Sequence, residues 1–94
     1  MISNGEQLRA DLATAQEILT DFLGGCITAE GALSRWPRLD RRSHRLLKRA
    51  WHLLEHYVDD ADIRHREPGY ERAQKEQLRT CLKAIEMELK TQTA

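Results

Sequence analysis

The sequence has little of what breaks helices and little of what cross-links a chain. Its 94 residues include two prolines and five glycines, too few to punctuate a string of short strands and turns. Two cysteines, Cys26 and Cys81, cannot supply the several bridges of a disulfide scaffold and read as reduced thiols. No apolar run approaches the roughly 18 residues of a membrane span. The opening Met1-Ile2-Ser3-Asn4-Gly5-Glu6 lacks the basic and apolar regions of a signal peptide. The expected location is therefore the cytoplasm, with no membrane partner. Charge of one sign is also missing: 15 basic side chains balance 15 acidic ones, so no global field steers a partner. No stretch alternates with period two, and there is neither an internal repeat nor a low-complexity tract.

What remains is a charged, helix-forming chain, 40% hydrophobic and 32% charged, too apolar to stay disordered. Its length allows one domain, residues 1–94, with a thin core. Leu8, Leu12, Ala15, Leu19 and Phe22 recur at helical spacing and predict a first helix over about Asn4–Leu23. Ser3 to Glu6 fits a capping box at its start, and Gly24-Gly25 a left-handed cap at its end. Thr28 is placed to cap a short second helix, with Ala29, Ala32, Leu33 and Trp36 on one face and Pro37 as its stop. Leu47, Ala50, Trp51, Leu54, Tyr57, Val58 and Ala61 predict a third helix over about Arg41–Asp60, capped by Asp40. Asp62–Glu67 reads as a polar loop. Pro68 suits the first turn of a last helix, whose apolar face carries Tyr70, Leu78, Cys81, Leu82, Ile85 and Leu89. The expected fold class is all-α: a small antiparallel four-helix bundle of three long helices and one short. Its core is expected to hold Leu12, Leu19, Phe22, Leu47, Trp51, Leu54, Leu78, Leu82 and Ile85.

The zero net charge conceals blocks. Residues 1–34 are net −4, residues 35–49 net +6, residues 50–71 net −4 and residues 72–94 net +2. The third helix is thus charged against its own dipole, cations first and Glu55, Asp59 and Asp60 last. The macrodipole favours the reverse by about 0.3–1 kcal/mol per well-placed charge. A rule broken this consistently points to a surface kept for contact. The bland explanation is neutralisation within the fold: Asp11, Glu17, Asp21 and Glu30 opposite the arginines, and Arg64, Arg66 and Arg72 opposite the aspartates.

No motif supports an enzyme, and no catalytic, cofactor or metal site is expected. His52-Leu53-Leu54-Glu55-His56 matches the H-x-x-E-H string of some zinc peptidases. Both histidines lie opposite the apolar stripe, however, and read as surface residues. His44 and His65 read likewise. Cys26 and Cys81 read as small residues at the core edge, since no histidine and acid are spaced to activate them. Arg35–Arg49 with nearby Trp36 has the look of a nucleic-acid patch. Trp36 and Trp51 lie on apolar faces, though, and the acidic half of the same helix would repel phosphate.

Two stretches carry a resemblance. Phe22-Leu23-Gly24-Gly25-Cys26-Ile27-Thr28-Ala29 is similar to an F-L-x-x-x-I-T-A junction between two helices, and Glu55 to Asp62 is similar to an E-x-[FY]-x-x-D-A-D helix end. Both junctions, nearly correctly spaced, occur in the bacterial self-protective colicin-like immunity proteins of the colicin D type. The resemblance implies a four-helix bundle of about this length that inhibits a toxin nuclease. In that family the acidic end of the third long segment enters the cationic cleft of a tRNA-cutting toxin and stands in for RNA phosphates. The matching residues here are Glu55 and Asp60, with Asp59 and Asp62 beside them. The neutral charge and the Arg35–Arg49 block depart from the family pattern. The expected function is therefore an immunity protein whose partner is a toxin nuclease domain. The alternative is a small helical nucleic-acid-binding or regulatory protein whose contact patch includes Arg41, Arg45 and Arg49. A third reading is a helical module that forms a homo-oligomer through an apolar face.

Overall fold

The computed structural model describes residues 4–93. Five helices follow one another: α1 (Asn4–Leu23), α2 (Ala29–Arg35), α3 (Arg45–Asp59), α4 (Ala61–Arg66) and α5 (Tyr70–Thr93). The fold is an all-α bundle 48 Å long and 23 Å across. α5 packs against α1, α3 and α4, while α2 wedges against α1 and α3. No helix among the described residues is long and apolar enough to cross a membrane.

The boundaries follow local chemistry. Ser3, expected to cap α1, lies outside the described residues. At the other end of α1, Gly25 takes φ of +82°. The Cys26 amide then donates to the Asp21 carbonyl at 2.8 Å and the Gly25 amide to that of Phe22 at 3.1 Å. This Schellman closure uses the glycine where a Cβ would be strained. The Thr28 hydroxyl accepts from the Gly31 amide at 3.0 Å and starts α2.

Two boundaries correct the sequence reading. α3 begins at Arg45, not Arg41, because Asp40 turns the chain instead of capping a helix. Its Oδ1 accepts from the Arg42 amide at 2.7 Å, and its own amide donates to Ser43 Oγ at 2.8 Å. Such side chain–backbone bonds compete with helix formation. His44 caps instead, its Nδ1 accepting from the Leu46 amide at 3.1 Å. The second correction adds a fifth helix: the stretch read as a polar loop forms α4, with Asp60 (φ −94°, ψ 21°) as the joint after α3. Pro68 sits in a turn ahead of α5, not inside its first turn, with the Tyr70 amide donating to the Glu67 carbonyl at 3.1 Å.

The core holds Leu12, Leu19, Phe22, Leu47, Leu54, Leu78 and Ile85 as expected, together with Ile18 and Cys81. Ala15, Ala32 and Ala50 are fully buried and let the helix axes approach. Trp51 and Leu82, expected inside, lie on the flanks and are only partly buried. Trp36 is buried, and its indole Nε1 has no acceptor among the described residues. His44 ties the start of α3 to α5, its Nε2 standing 3.8 Å from Glu88 Oε1.

Leu54 is fully buried between helices, so Leu54→Ala is expected to cost about 2–5 kcal/mol in chemical denaturation. Gly25→Ala places a Cβ in the left-handed region and should cost about 1–2 kcal/mol in the same measurement.

Candidate functional site

The outer face of α3 is set by its inner one. With Leu47, Ala50 and Leu54 buried, helical periodicity of about 100° per residue turns Arg45, Lys48, Arg49, His52, Glu55, His56 and Asp59 outward. Arg45, Arg49, His52, His56 and Asp59 are exposed, and Lys48 and Glu55 are half-exposed. The helix therefore ends in an acidic joint, where Asp60 breaks the helical path and α4 carries Asp62.

The four acids of this joint differ in what holds them. Asp59 and Asp62 are exposed and make no hydrogen bond or ion pair with any described residue. Glu55 Oε1 stands 3.3 Å from His52 Nδ1. Asp60 is half-buried and engaged on one side: its Oδ2 accepts from the Tyr70 hydroxyl at 2.7 Å and from Gln74 Nε2 at 3.4 Å. Its Oδ1 remains open. Removing this carboxylate strands the Tyr70 and Gln74 donors, so Asp60 also supports the fold, contrary to the expectation of a purely surface residue.

Internal neutralisation, the alternative explanation of the charge blocks, is not made by Arg64 through an ion pair to any of these four acids. Its guanidinium lies over the Tyr57 ring, 3.7 Å from the centroid, and donates to the Tyr57 carbonyl and, at 3.3 Å, to Gln74 Oε1. The cation is spent on a ring face and two neutral oxygens. Arg66 and Arg72 are exposed and pair with none of the four acids. Tyr57 is held on a second side by Phe22, edge-on at 5.1 Å and 84°, and its hydroxyl donates to Glu71 Oε1 at 2.7 Å. Burial first, and then this bond to an anion, raise the Tyr57 phenol above its ordinary value near 10. The hydrogen bond to Asp60 does the same to Tyr70. Glu71 is held below the ordinary carboxylate range, first by the Tyr57 hydroxyl and then by Lys75, 3.3 Å away.

Sequence reasoning missed Gln74 and the role of Tyr70. Tyr70 and Gln74 are spaced one helical turn apart, which puts them on one face. The available signal was a polar residue, Gln74, lying in line with the apolar stripe of α5. It is the single buried polar residue among those described. Beside it, Leu53, His56, Asp60, Tyr70 and Gln77 line a groove of about 190 Å³.

At the opposite end of α3 the basic block is also largely unpaired. Arg38, Arg41, Arg42 and Arg45 are exposed and their guanidinium groups make no ion pair among the described residues. Asp21 reaches only Arg35, at 3.9 Å. A groove of about 610 Å³ opens here, its walls including Leu8, Asp11, Arg38, Arg42 and Leu47. Arg49 bonds the Cys81 thiol, which burial pushes up in pKa while Arg49 pulls it down. Cys26, read as a core-edge residue, is exposed because it follows the left-handed glycine out of the helix. His52 and His56 are both exposed. Among the described residues no group of three or more metal-ligating side chains comes together.

Comparison with protein-family models, with curated proteins and with solved structures finds no match to this chain.

The shifted groups make the joint sensitive to pH at both extremes. A phenol whose folded pKa is raised adds stability that is complete below its unfolded value, near 10, and is lost as pH rises through the folded value. Glu71, being lowered, contributes above about 4.5 and loses its contribution as pH falls through its folded value. Denaturation midpoints should therefore fall above pH 10, and the Tyr57→Phe, Tyr70→Phe double variant should show a shallower alkaline decline.

Proposed function

We propose that the chain is a cytoplasmic immunity protein that binds and inhibits a toxin nuclease of the colicin or bacteriocin type. In this reading the α3–α4 joint enters the cationic cleft that otherwise holds RNA phosphates. The observation that supports it is the state of the acids. Asp59 and Asp62 stand exposed without a partner among the described residues, while Arg64, the arginine next in sequence, is committed to Tyr57 and Gln74.

The chemistry is that of phosphate mimicry. A cleft built for phosphates presents Arg and Lys, and carboxylates pair with these through charge-assisted bonds. Tyr70 and Gln74 hold Asp60 by one oxygen and leave the other to face a partner. Such preorganisation reduces the entropy cost of binding. Complementary potentials steer association as well. No catalysis is required of the chain: inhibition is occlusion.

A second reading, a small nucleic-acid-binding or regulatory protein, draws on the unpaired Arg38, Arg41, Arg42 and Arg45. It predicts binding to RNA or duplex DNA whose logarithm falls linearly with the logarithm of salt concentration. The acidic joint lies on the same helix and opposes a long phosphate track, so the inhibitor reading is preferred.

Co-expression with a colicin-type tRNA-cutting nuclease domain, taken from the adjoining reading frame where that frame encodes one, is the test, read as cell growth and intact tRNA. Glu55→Ala and Asp60→Ala should each weaken binding by about 2–5 kcal/mol in calorimetry, since each leaves a desolvated cation unpaired. Asp59→Ala with Asp62→Ala should weaken it too, yet change folding stability by no more than about 0.5 kcal/mol. Reversal of Arg41, Arg45 and Arg49 to glutamate should leave protection intact. Protection lost on arginine reversal but retained in the acid variants would reject the acidic joint as the contact.

A further inference from the structure

The outward face of α3 carries an order of charges that is complementary to itself when reversed. Counting from His52, Arg45 stands seven residues before and Asp59 seven after, while Lys48 stands four before and Glu55 three after. All lie within about 60° of the His52 direction at 100° per residue; Arg49 and His56 share the arc, and reversal sets them near each other on the opposite lateral side, where they add no attractive pair. Arg45, His52 and Asp59 are exposed, and Lys48 and Glu55 half-exposed. The exposure of these side chains leaves the arc open among the described residues.

We propose that this face docks a second copy of the same chain, α3 against α3 and antiparallel, about a two-fold axis passing through His52. A two-fold interface is isologous: if one residue meets another across it, the reverse contact forms as well. Reversal about His52 brings Arg45 to the height of Asp59 of the second copy. It brings Lys48 beside Glu55 on the same lateral side of the contact. Each pairing occurs twice, giving four ion pairs from two kinds of contact. The two His52 side chains meet on the axis, where they add no charge when neutral.

The groups retain capacity for these bonds. Asp59 has no partner among the described residues. Glu55 uses one oxygen toward His52, at 3.3 Å. Lys48 donates to the Arg41 carbonyl at 3.2 Å, and its ammonium has two further protons. Arg45 makes no ion pair among the described residues. A parallel arrangement would set cation against cation, so the charge order selects the antiparallel one. It also accounts for a helix charged against its own dipole: the pattern disfavoured within one chain is satisfied between two. With no large apolar side chain on the arc, the association is governed by salt.

Sedimentation equilibrium of the full chain tests the proposal. At about 10 mM salt, where the Debye length is about 30 Å, the mass should approach twice that of the monomer; near 1 M, where it is about 3 Å, it should return to the monomer. Arg45→Glu with Lys48→Glu makes the face acidic apart from Arg49 and the histidines, and Glu55→Lys with Asp59→Arg makes it basic apart from the histidines. Each double variant alone should be monomeric at low salt, with circular dichroism confirming that it is folded. Mixed in equal amounts, the two should recover the dimer mass. A wild-type chain that stays monomeric at low salt would overturn the proposal. So would variants that dimerise as the wild type does, or a mixture that stays monomeric. No toxin is involved in this measurement, so its outcome is independent of the inhibitor reading.

Discussion

The placement of one guanidinium organises the end of this molecule. Arg64 lies on the face of Tyr57 and bonds its carbonyl and Gln74. Tyr57 in turn reaches Phe22 on α1 and Glu71 on α5. One cation thereby joins four helices at the joint where the helical path breaks. The same commitment leaves it without an ion pair to Glu55, Asp59, Asp60 or Asp62. A cation that is half-buried over a ring is worth more there than in an exposed ion pair of about 0–1 kcal/mol. The acidic joint keeps its charge because the packing of Tyr57 claims the nearest arginine.

Two hydrogen bonds from α5 fix one carboxylate of the joint. Tyr70 and Gln74 lie one turn apart on α5 and hold Asp60 by a single oxygen. Asp59 and Asp62 flank it from the end of α3 and the start of α4, with no partner among the described residues. The arrangement combines one positioned carboxylate with two free ones, suited to a partner that presents several cations. At the other end of α3, Asp40 spends its carboxylate on the turn before the helix and so neutralises none of the arginines that follow. His44 takes over the capping role. Both ends of α3 therefore remain charged for the same reason: residues of the right sign nearby are used for backbone or ring contacts.

Asp59 and Glu55 belong to both surfaces described for α3. A dimer through the outward face covers them, and a toxin cleft would require them free. The two proposed associations would exclude one another, since both would use these acids. Salt acts on each in the same direction, since each is built from exposed or half-exposed ion pairs.

Much of the helical framework is legible in the residue order alone. The spacing of Leu12, Ala15, Leu19 and Phe22 defines the buried face of α1, Gly25 its end, and Thr28 the start of α2, because these depend on periodicity and on the backbone conformations of single residues. The blocks of charge along α3 are equally plain. The start of α3 was not legible: Asp40 is a good helix cap and a good turn former, and its bonds to Arg42 and Ser43 decide between them. Nor was α4, whose polar sequence carries too weak an apolar stripe to announce a helix and is stabilised by docking Arg64 against Tyr57. The candidate site divides the same way. Its acids could be named from the sequence, but whether Arg64, Arg66 and Arg72 neutralise them depends on where each guanidinium finds its best contact. That is a property of the packed ends of several helices, which distant parts of the chain create only when they meet.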